Sequence, residues 1–367
     1  MLQWVGFVFG LALLILTLTS VIGTLVVPRG IDSAISRWAD SVVDAVFMVI
    51  TKPVHDKVRR EAILAWQGPI TLLVRLSVWI VLLWTAYALV LLPFAGPAAF
   101  SEAGSSMFTL GYAPPTSPET TVLEYMAAFT GVIVVGLQVG YLPTIYSAFN
   151  RRETEVTMLT SRAGVPAWGP ELLLRTRWGY QDTDPISYLD DLFKTWERWA
   201  AEVGESHTTY VTLVRFRSPR PLSHWLTSLI AVMDAAAIHL AVDPSSPPKT
   251  SARLCLRMGF TALNQIAETM RVPYDRDPDP DAPISVTREE FGEAMAMLRA
   301  VGYPVERTDE QAWLDFKGWR ANYDRAALSI ARAVDAPPAL WTGTRRFPSE
   351  PMPPVRPPTR VAKAPTE

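Results

Sequence analysis

The chain has 367 residues, 49% hydrophobic and 19% charged, with a net charge of −2. A composition this apolar excludes a wholly soluble enzyme of ordinary make-up, and the lack of a basic excess leaves no electrostatic footprint for nucleic acid. The single cysteine, Cys255, excludes an intramolecular disulfide framework and any multi-cysteine metal site, and in its apolar helical surroundings it reads as a packed thiol.

Stretches free of Asp, Glu, Lys and Arg run over Met1–Pro28, Leu76–Ser101 and Tyr125–Asn150, that is 28, 26 and 26 residues, whereas the longest after Asn150 is Pro221–Met233 with 13. About 20 apolar residues span a bilayer as a helix. The chain up to residue 150 therefore reads as membrane and the remainder as aqueous. No Lys or Arg precedes the first apolar run, which favours a retained membrane helix over a cleaved signal. Gly6 and Gly10 give that helix a small-residue face for packing.

Basic residues set the expected orientation. Arg29, Arg37, Lys52, Lys57, Arg59 and Arg60 follow the first run, none lies between 93 and 121, and Arg151 and Arg152 follow the third. By the positive-inside rule the chain crosses three times as a multi-pass protein of the cell membrane, with its N-terminus external and its C-terminal part cytoplasmic. Ile31, Ile35, Trp38, Val42, Val46 and Val49 form an apolar helical stripe with Asp32, Ser36, Arg37, Asp40 and Asp44 opposite, a helix suited either to the membrane interface or to packing on the aqueous part. Arg75, near the start of the second run, is expected to snorkel to the interface.

Between the second and third runs, residues 93–115 are too few for two crossings and too apolar for a free loop. A short helix from about Pro97 to Phe108 is expected, followed by an extended Thr109-Leu110-Gly111-Tyr112, with Pro114 and Pro115 blocking further helix. Non-helical backbone at membrane depth must be buried in protein or line a water-filled path, which points to a re-entrant pore element. With that short helix, Thr109-Leu110-Gly111-Tyr112-Ala113 and the glycine-spaced apolar run that follows, residues 70–150 resemble the pore unit of potassium channels. The resemblance implies a homotetramer in which carbonyl oxygens of Thr109, Leu110, Gly111, Tyr112 and Ala113 replace the hydration shell of potassium or another monovalent cation, with no cofactor. Gly111 suits a backbone at positive φ. Ala113 stands where the family has its last filter glycine and Pro114 where an Asp follows; an Ala held at positive φ there would cost about 1 kcal/mol. Gly131, Gly136 and Gly140 are candidate gating hinges by the same resemblance, and Gly136-x-x-x-Gly140 also fits helix packing. Glu102, inside the short helix, would either concentrate cations or hold the pore support by a hydrogen bond.

Beyond residue 150 the pattern is mostly helical. Tyr188, Leu189, Leu192, Trp196, Trp199 and Val203 recur at helical spacing after Asp184-Pro185, and Thr287/Glu290 and Thr308/Gln311 form capping boxes. Thr208–Phe216 has strand-like composition. No G-x-G-x-x-G is present, the four histidines are scattered, and the Asp275, Asp277, Asp279, Asp281 run fails the calcium-loop pattern at Ala282 and Arg288, so neither an enzyme nor a metal site is expected. The region resembles the helical cytoplasmic part of bacterial channel-like membrane proteins, which implies no particular ligand. Residues 337–367 hold nine prolines and read as a disordered tail.

The expectation is thus an all-α membrane protein with a re-entrant pore helix and filter and a helical cytoplasmic domain. Its parts are a first transmembrane helix (1–28), an amphipathic connection (29–68), a pore unit (69–150), the cytoplasmic domain (151–336) and the tail (337–367). Its partners are the lipid bilayer and further copies of itself, and its expected function is passive cation flux. The alternative is a membrane-anchored interaction or sensor protein with a non-conducting, channel-like pore.

Overall fold

The computed structural model describes residues 1–27, 33–115, 117–176, 185–242, 245, 247–347 and 349–356. Ile31, Asp32, Asp184 and the last eleven residues of the expected tail lie outside the described residues. The helices are α1 (Leu2–Leu25), α2 (Ala34–Thr51), α3 (Lys57–Leu64), α4 (Gln67–Ala95), α5 (Ala99–Met107), α6 (Pro118–Ala163), α7 (Gly169–Arg175), α8 (Pro185–Thr209), α9 (Trp225–Val242), α10 (Lys249–Met270), α11 (Arg288–Ala300), α12 (Asp309–Ala321) and α13 (Asp324–Ala333). No strand forms among the described residues; the strand-like Thr208–Phe216 ends α8 and continues as a 3-10 helix, Val211–Arg215. The chain divides into two compact units, one of residues 1–53 and 66–148, the other of 54–65 and 149–367. The connection expected over 29–68 is therefore split, with α2 in the first unit and α3 in the second.

Among the described residues, four helical runs are long and apolar enough to cross a membrane: Leu2–Leu25, Lys57–Met107, Pro118–Ala163 and Trp225–Val242. Their surroundings separate them. The most apolar windows of the first three are 28%, 39% and 33% buried, while that of the fourth is 100% buried. A helix apolar all round is either a membrane span or the centre of a large core. Here α9 is the centre of the second unit's core, packed by α7, α10 and α12. By contrast α1 exposes Trp4, Val8, Phe9, Ile15 and Leu16, and α6 exposes Val122, Tyr125, Phe129, Val132 and Val139. Apolar exteriors of that extent are foreign to a soluble monomer and compatible with a bilayer.

In the first unit, α1 lies against α4 at close range. A Cβ added at Gly10 would stand 2.7 Å from the Leu89 Cβ and 2.9 Å from the Ala86 carbonyl oxygen, so the glycine is what lets the backbones approach. α2 has its polar side turned inward. Asp40 takes a bidentate pair of bonds from Arg75, at 2.6 and 2.5 Å, both groups buried. Gln67 donates to Asp44 at 2.8 Å, Ser33 caps α2 and meets Ser20, and the Trp79 indole donates to Ser20 at 2.9 Å. The apolar stripe, Trp38, Val42, Val46 and Val49, faces outward. Arg75 accordingly does not snorkel; Asp40 lies close enough to hold it inside.

The second unit is built around α9, with α8 against α10 along their length. Arg320 of α12, fully buried, bonds Asp234 of α9, Asp324 and the Trp341 carbonyl, while Tyr323 donates to Asp234 at 2.7 Å. Both expected capping boxes form, at Thr287 with Glu290 and at Thr308 with Gln311. Residues 337–356, expected to be disordered, pack where they are described. Trp341 lies against Trp168 and Phe316, and Arg345 is buried and donates to the carbonyls of Ala336, Pro337 and Thr342. Two anchors hold a segment whose average composition is that of a solvated tail.

Arg152 is likewise buried and bonds His207 Nε2 at 3.0 Å together with the Leu213 and Phe216 carbonyls. Because guanidinium only donates, His207 Nε2 must accept, which puts the ring proton on Nδ1 facing the Ser206 hydroxyl. Burial first and the Arg152 charge second hold His207 well below the ordinary histidine range, and burial with Arg217 and Arg152 does the same to His224.

Two predictions follow from these contacts. Removing one partner of the Arg75–Asp40 pair leaves a buried charge, so Arg75→Met should cost about 3–5 kcal/mol, while Arg75→Met with Asp40→Leu should recover most of that loss. Thermal melts of the detergent-solubilised variants check it; equal loss in single and double variants would contradict the inward-facing pair. Both buried histidines stay neutral in the fold and titrate near 6.5 when unfolded, so stability is full above about pH 6.5 and falls below it by up to about 1.4 kcal/mol per pH unit for each. A melting temperature unchanged from about pH 7 to about pH 5.5 would contradict their neutral burial.

Candidate functional site

α5 begins after a 3-10 turn, Gly96–Ala98, with Pro97 in its first turn, where a missing N–H costs no bond. It packs on α4, with the Trp84 indole donating to the Phe100 carbonyl at 3.0 Å and its ring meeting Phe100 edge-on. Its end has a defined geometry. Thr109 N–H reaches the Ser106 carbonyl at 3.0 Å and Leu110 N–H the Ser105 carbonyl at 2.7 Å, with Thr109 at φ +55° between them. This is a Schellman helix end, whose left-handed position is ordinarily glycine. A β-branched residue there is strained, by about 1–2 kcal/mol.

Gly111 follows at φ +68°, a conformation that glycine takes without strain. Ala113 is not among the residues at positive φ, so the expected strain lies at Thr109 instead. Ser105 holds both ends of the segment: its carbonyl also takes Gly111 N–H at 3.4 Å, and its hydroxyl takes Ala113 N–H at 3.0 Å. The Tyr112 hydroxyl lies 3.4 Å from that of Ser101. Thr109, Leu110, Gly111 and Tyr112 are exposed on the first unit, with Leu110 and Tyr112 each more than 60% accessible. The structure thus gathers residues 109–113 into one pinned, outward-facing non-helical segment.

The three glycines of α6 separate. A Cβ at Gly131 would stand 2.2 Å from the Met107 carbonyl oxygen, so Gly131 is where α6 passes the end of α5. Gly136 and Gly140 have open space around them in the chain, and neither packs against another helix of it. Tyr87 of α4 ties to α6 through Thr130 at 2.7 Å.

Sequence reasoning missed two residues beside the loop. One is Ser105, which has no signal beyond its place in a short helix. The other is Glu124 of α6, which accepts from the Ser106 hydroxyl at 3.1 Å and lies within electrostatic range of Glu102. Glu102 and Glu124 are the acidic residues that bound the second and third charge-free stretches on the loop side. Two antiparallel helices joined by a short loop bring such residues to one level, and that pattern was legible. Both are buried, and their carboxyl groups lie within hydrogen-bonding reach of each other, with no other side-chain partner of Glu102 among the described residues. Glu102 meets α6 through Glu124, which in turn accepts from Ser106. No group of three or more metal-ligating side chains occurs among the described residues; Asp275 and Asp279 accept from the backbone N–H groups of Asp277 and Asp281.

No known family matches the chain, and no curated protein or solved structure is similar to it.

Thr109→Gly should stabilise the fold by about 1 kcal/mol by relieving the left-handed threonine. Gly131→Ala should destabilise it by about 1–3 kcal/mol, because the added carbon meets a backbone oxygen that cannot turn away. Melting temperatures of the two variants check both signs.

Proposed function

We propose that the chain is the subunit of a cation-conducting membrane pore, with residues 109–113 as its selectivity element and potassium or another monovalent cation as the permeant ion. The observation that carries this reading is a short helix ending in a pinned, exposed non-helical segment with Gly111 at positive φ, framed by two long apolar helices, α4 and α6. Backbone of that kind is costly in lipid and tolerable where it faces water or another protein surface. One such segment per chain implies several chains around an axis, four by resemblance to potassium channels, each offering carbonyl oxygens to a dehydrating ion. In this reading α5 is a re-entrant pore helix, Ser105 fixes the loop, the outward apolar face of α6 meets lipid or neighbouring chains, and Gly136 and Gly140 are left for gating or for contacts between chains. The positive-inside pattern places the loop outside and the second unit in the cytoplasm.

A second reading has its own support. The Schellman end at Thr109 and the two N–H groups converging on the Ser105 carbonyl make a self-contained turn. A membrane-anchored interaction or sensor protein with a non-conducting pore would need nothing more of that segment.

Ion flux separates the two. Purified protein in liposomes should pass potassium, and Gly111→Val should abolish the flux while leaving a folded, assembled protein, since a second β-branched residue at positive φ, two positions after Thr109, would distort the loop. Flux that persists in Gly111→Val would move the ion path elsewhere, and no flux in the parent would favour the second reading. For topology, Glu119→Cys should be labelled from outside intact cells and Glu289→Cys only after permeabilisation. Cys255 gives little background because it is fully buried and burial pushes its thiol up. The reverse labelling pattern would overturn the orientation.

A further inference from the structure

A cavity of the second unit has a volume of about 620 Å3, within the range that holds small organic ligands. Its floor is one face of α13, where Arg325, Leu328 and Arg332 recur at helical spacing, and Arg346 closes one side. Its opposite wall is the Pro/Asp-rich segment that resembled a calcium loop, contributing Val272, Pro273 and Pro278. The segment's aspartates do not make the cavity acidic. Asp324, also in the lining, is committed to Arg320 at 2.8 Å and to Ser285 at 2.7 Å, and Asp275 stands 4.0 Å from Arg325 while accepting from Asp277 N–H. Arg332 spends an N–H on the Thr344 hydroxyl and has no carboxylate partner among the described residues. Three guanidinium groups therefore line the cavity with two carboxylates that already have partners, Asp275 and Asp324, and the remaining walls are Ser329, proline and aliphatic carbon.

We infer that this cavity binds a small soluble organic anion, a phosphate monoester or carboxylate with an apolar body, its charged head held by Arg325 and Arg332 and its body by Leu328 and the 272–278 wall. The guanidinium fork matches carboxylate and phosphate geometry in two parallel bonds, and a head held from two positions one face apart is oriented as well as attracted. The apolar wall adds burial that an inorganic ion cannot use, so the site should discriminate by both halves of the ligand. Neither half depends on ion conduction.

The test is calorimetric titration of full-length protein in phosphatidylcholine nanodiscs, which offer no net anionic headgroup, using phenyl phosphate as the probe and inorganic phosphate and benzyl alcohol as its two halves. Phenyl phosphate should bind saturably and more tightly than either half. Arg325→Gln with Arg332→Gln should weaken it by about tenfold or more, the loss expected for two charge-assisted contacts. Both side chains are exposed, so the double variant should keep the parent's melting temperature without ligand. Absence of saturable binding by phenyl phosphate, equal affinity in parent and double variant, or equal binding of benzyl alcohol would each overturn the inference. Because binding is read without flux, its failure leaves the pore proposal standing, and a protein that binds the probe without conducting ions fails only the pore proposal.

Discussion

The first unit is governed by one constraint: a polar group among long apolar helices has to find its partner within the protein, because lipid offers none. The Arg75–Asp40 pair is the strongest instance. It decides which side of α2 faces α4, and with Gln67–Asp44 and the Ser20, Ser33 and Ser36 cluster it turns the whole polar side of α2 inward. The outward apolar stripe is then a consequence. Tyr87 with Thr130 and Trp79 with Ser20 obey the same rule between other helix pairs.

Among the described residues of the first unit the rule is strained around α5. Around α5 two buried acids, Glu102 and Glu124, meet each other rather than a base, a β-branched threonine sits at positive φ, and the loop beyond leaves the helical ladder. Local rules are broken together mostly where a structure has a task, since each breach costs stability and needs surrounding structure to hold it. That local cost, with Ser105 pinning the segment from both sides, is the physical ground for proposing a function at residues 109–113. In the second unit the buried arginines 152, 217 and 320 all meet carboxylates or carbonyl oxygens.

Much of this was legible in the residues, and the failures have identifiable causes. Charge-free runs gave α1, α4 and α6, capping boxes gave α11 and α12, and Pro97 marked the start of the short helix, because each rests on local chemistry. Periodicity gave the two sides of α2 but not which one faces in; that depended on Arg75, 35 residues away in sequence from Asp40. The same limit hid the buried roles of Arg152 and Arg345, which composition reads as orientation marker and tail. Ala113 was expected to carry strain because a family pattern has glycine there, whereas the helix end that fixes the loop puts it on Thr109. Of the candidate site, Gly111 was legible from residue type alone. Ser105 needed the fold, while the meeting of Glu102 with Glu124 was legible in the charge pattern and went unread.

The central claim is that residues 109–113 of several chains surround one axis. Electron cryo-microscopy of the protein in lipid nanodiscs tests it most directly. The account predicts a ring of chains, four by resemblance, with Gly111 of every copy facing the axis. A monomer, or an assembly in which the loop faces lipid or lies away from the symmetry axis, would contradict it.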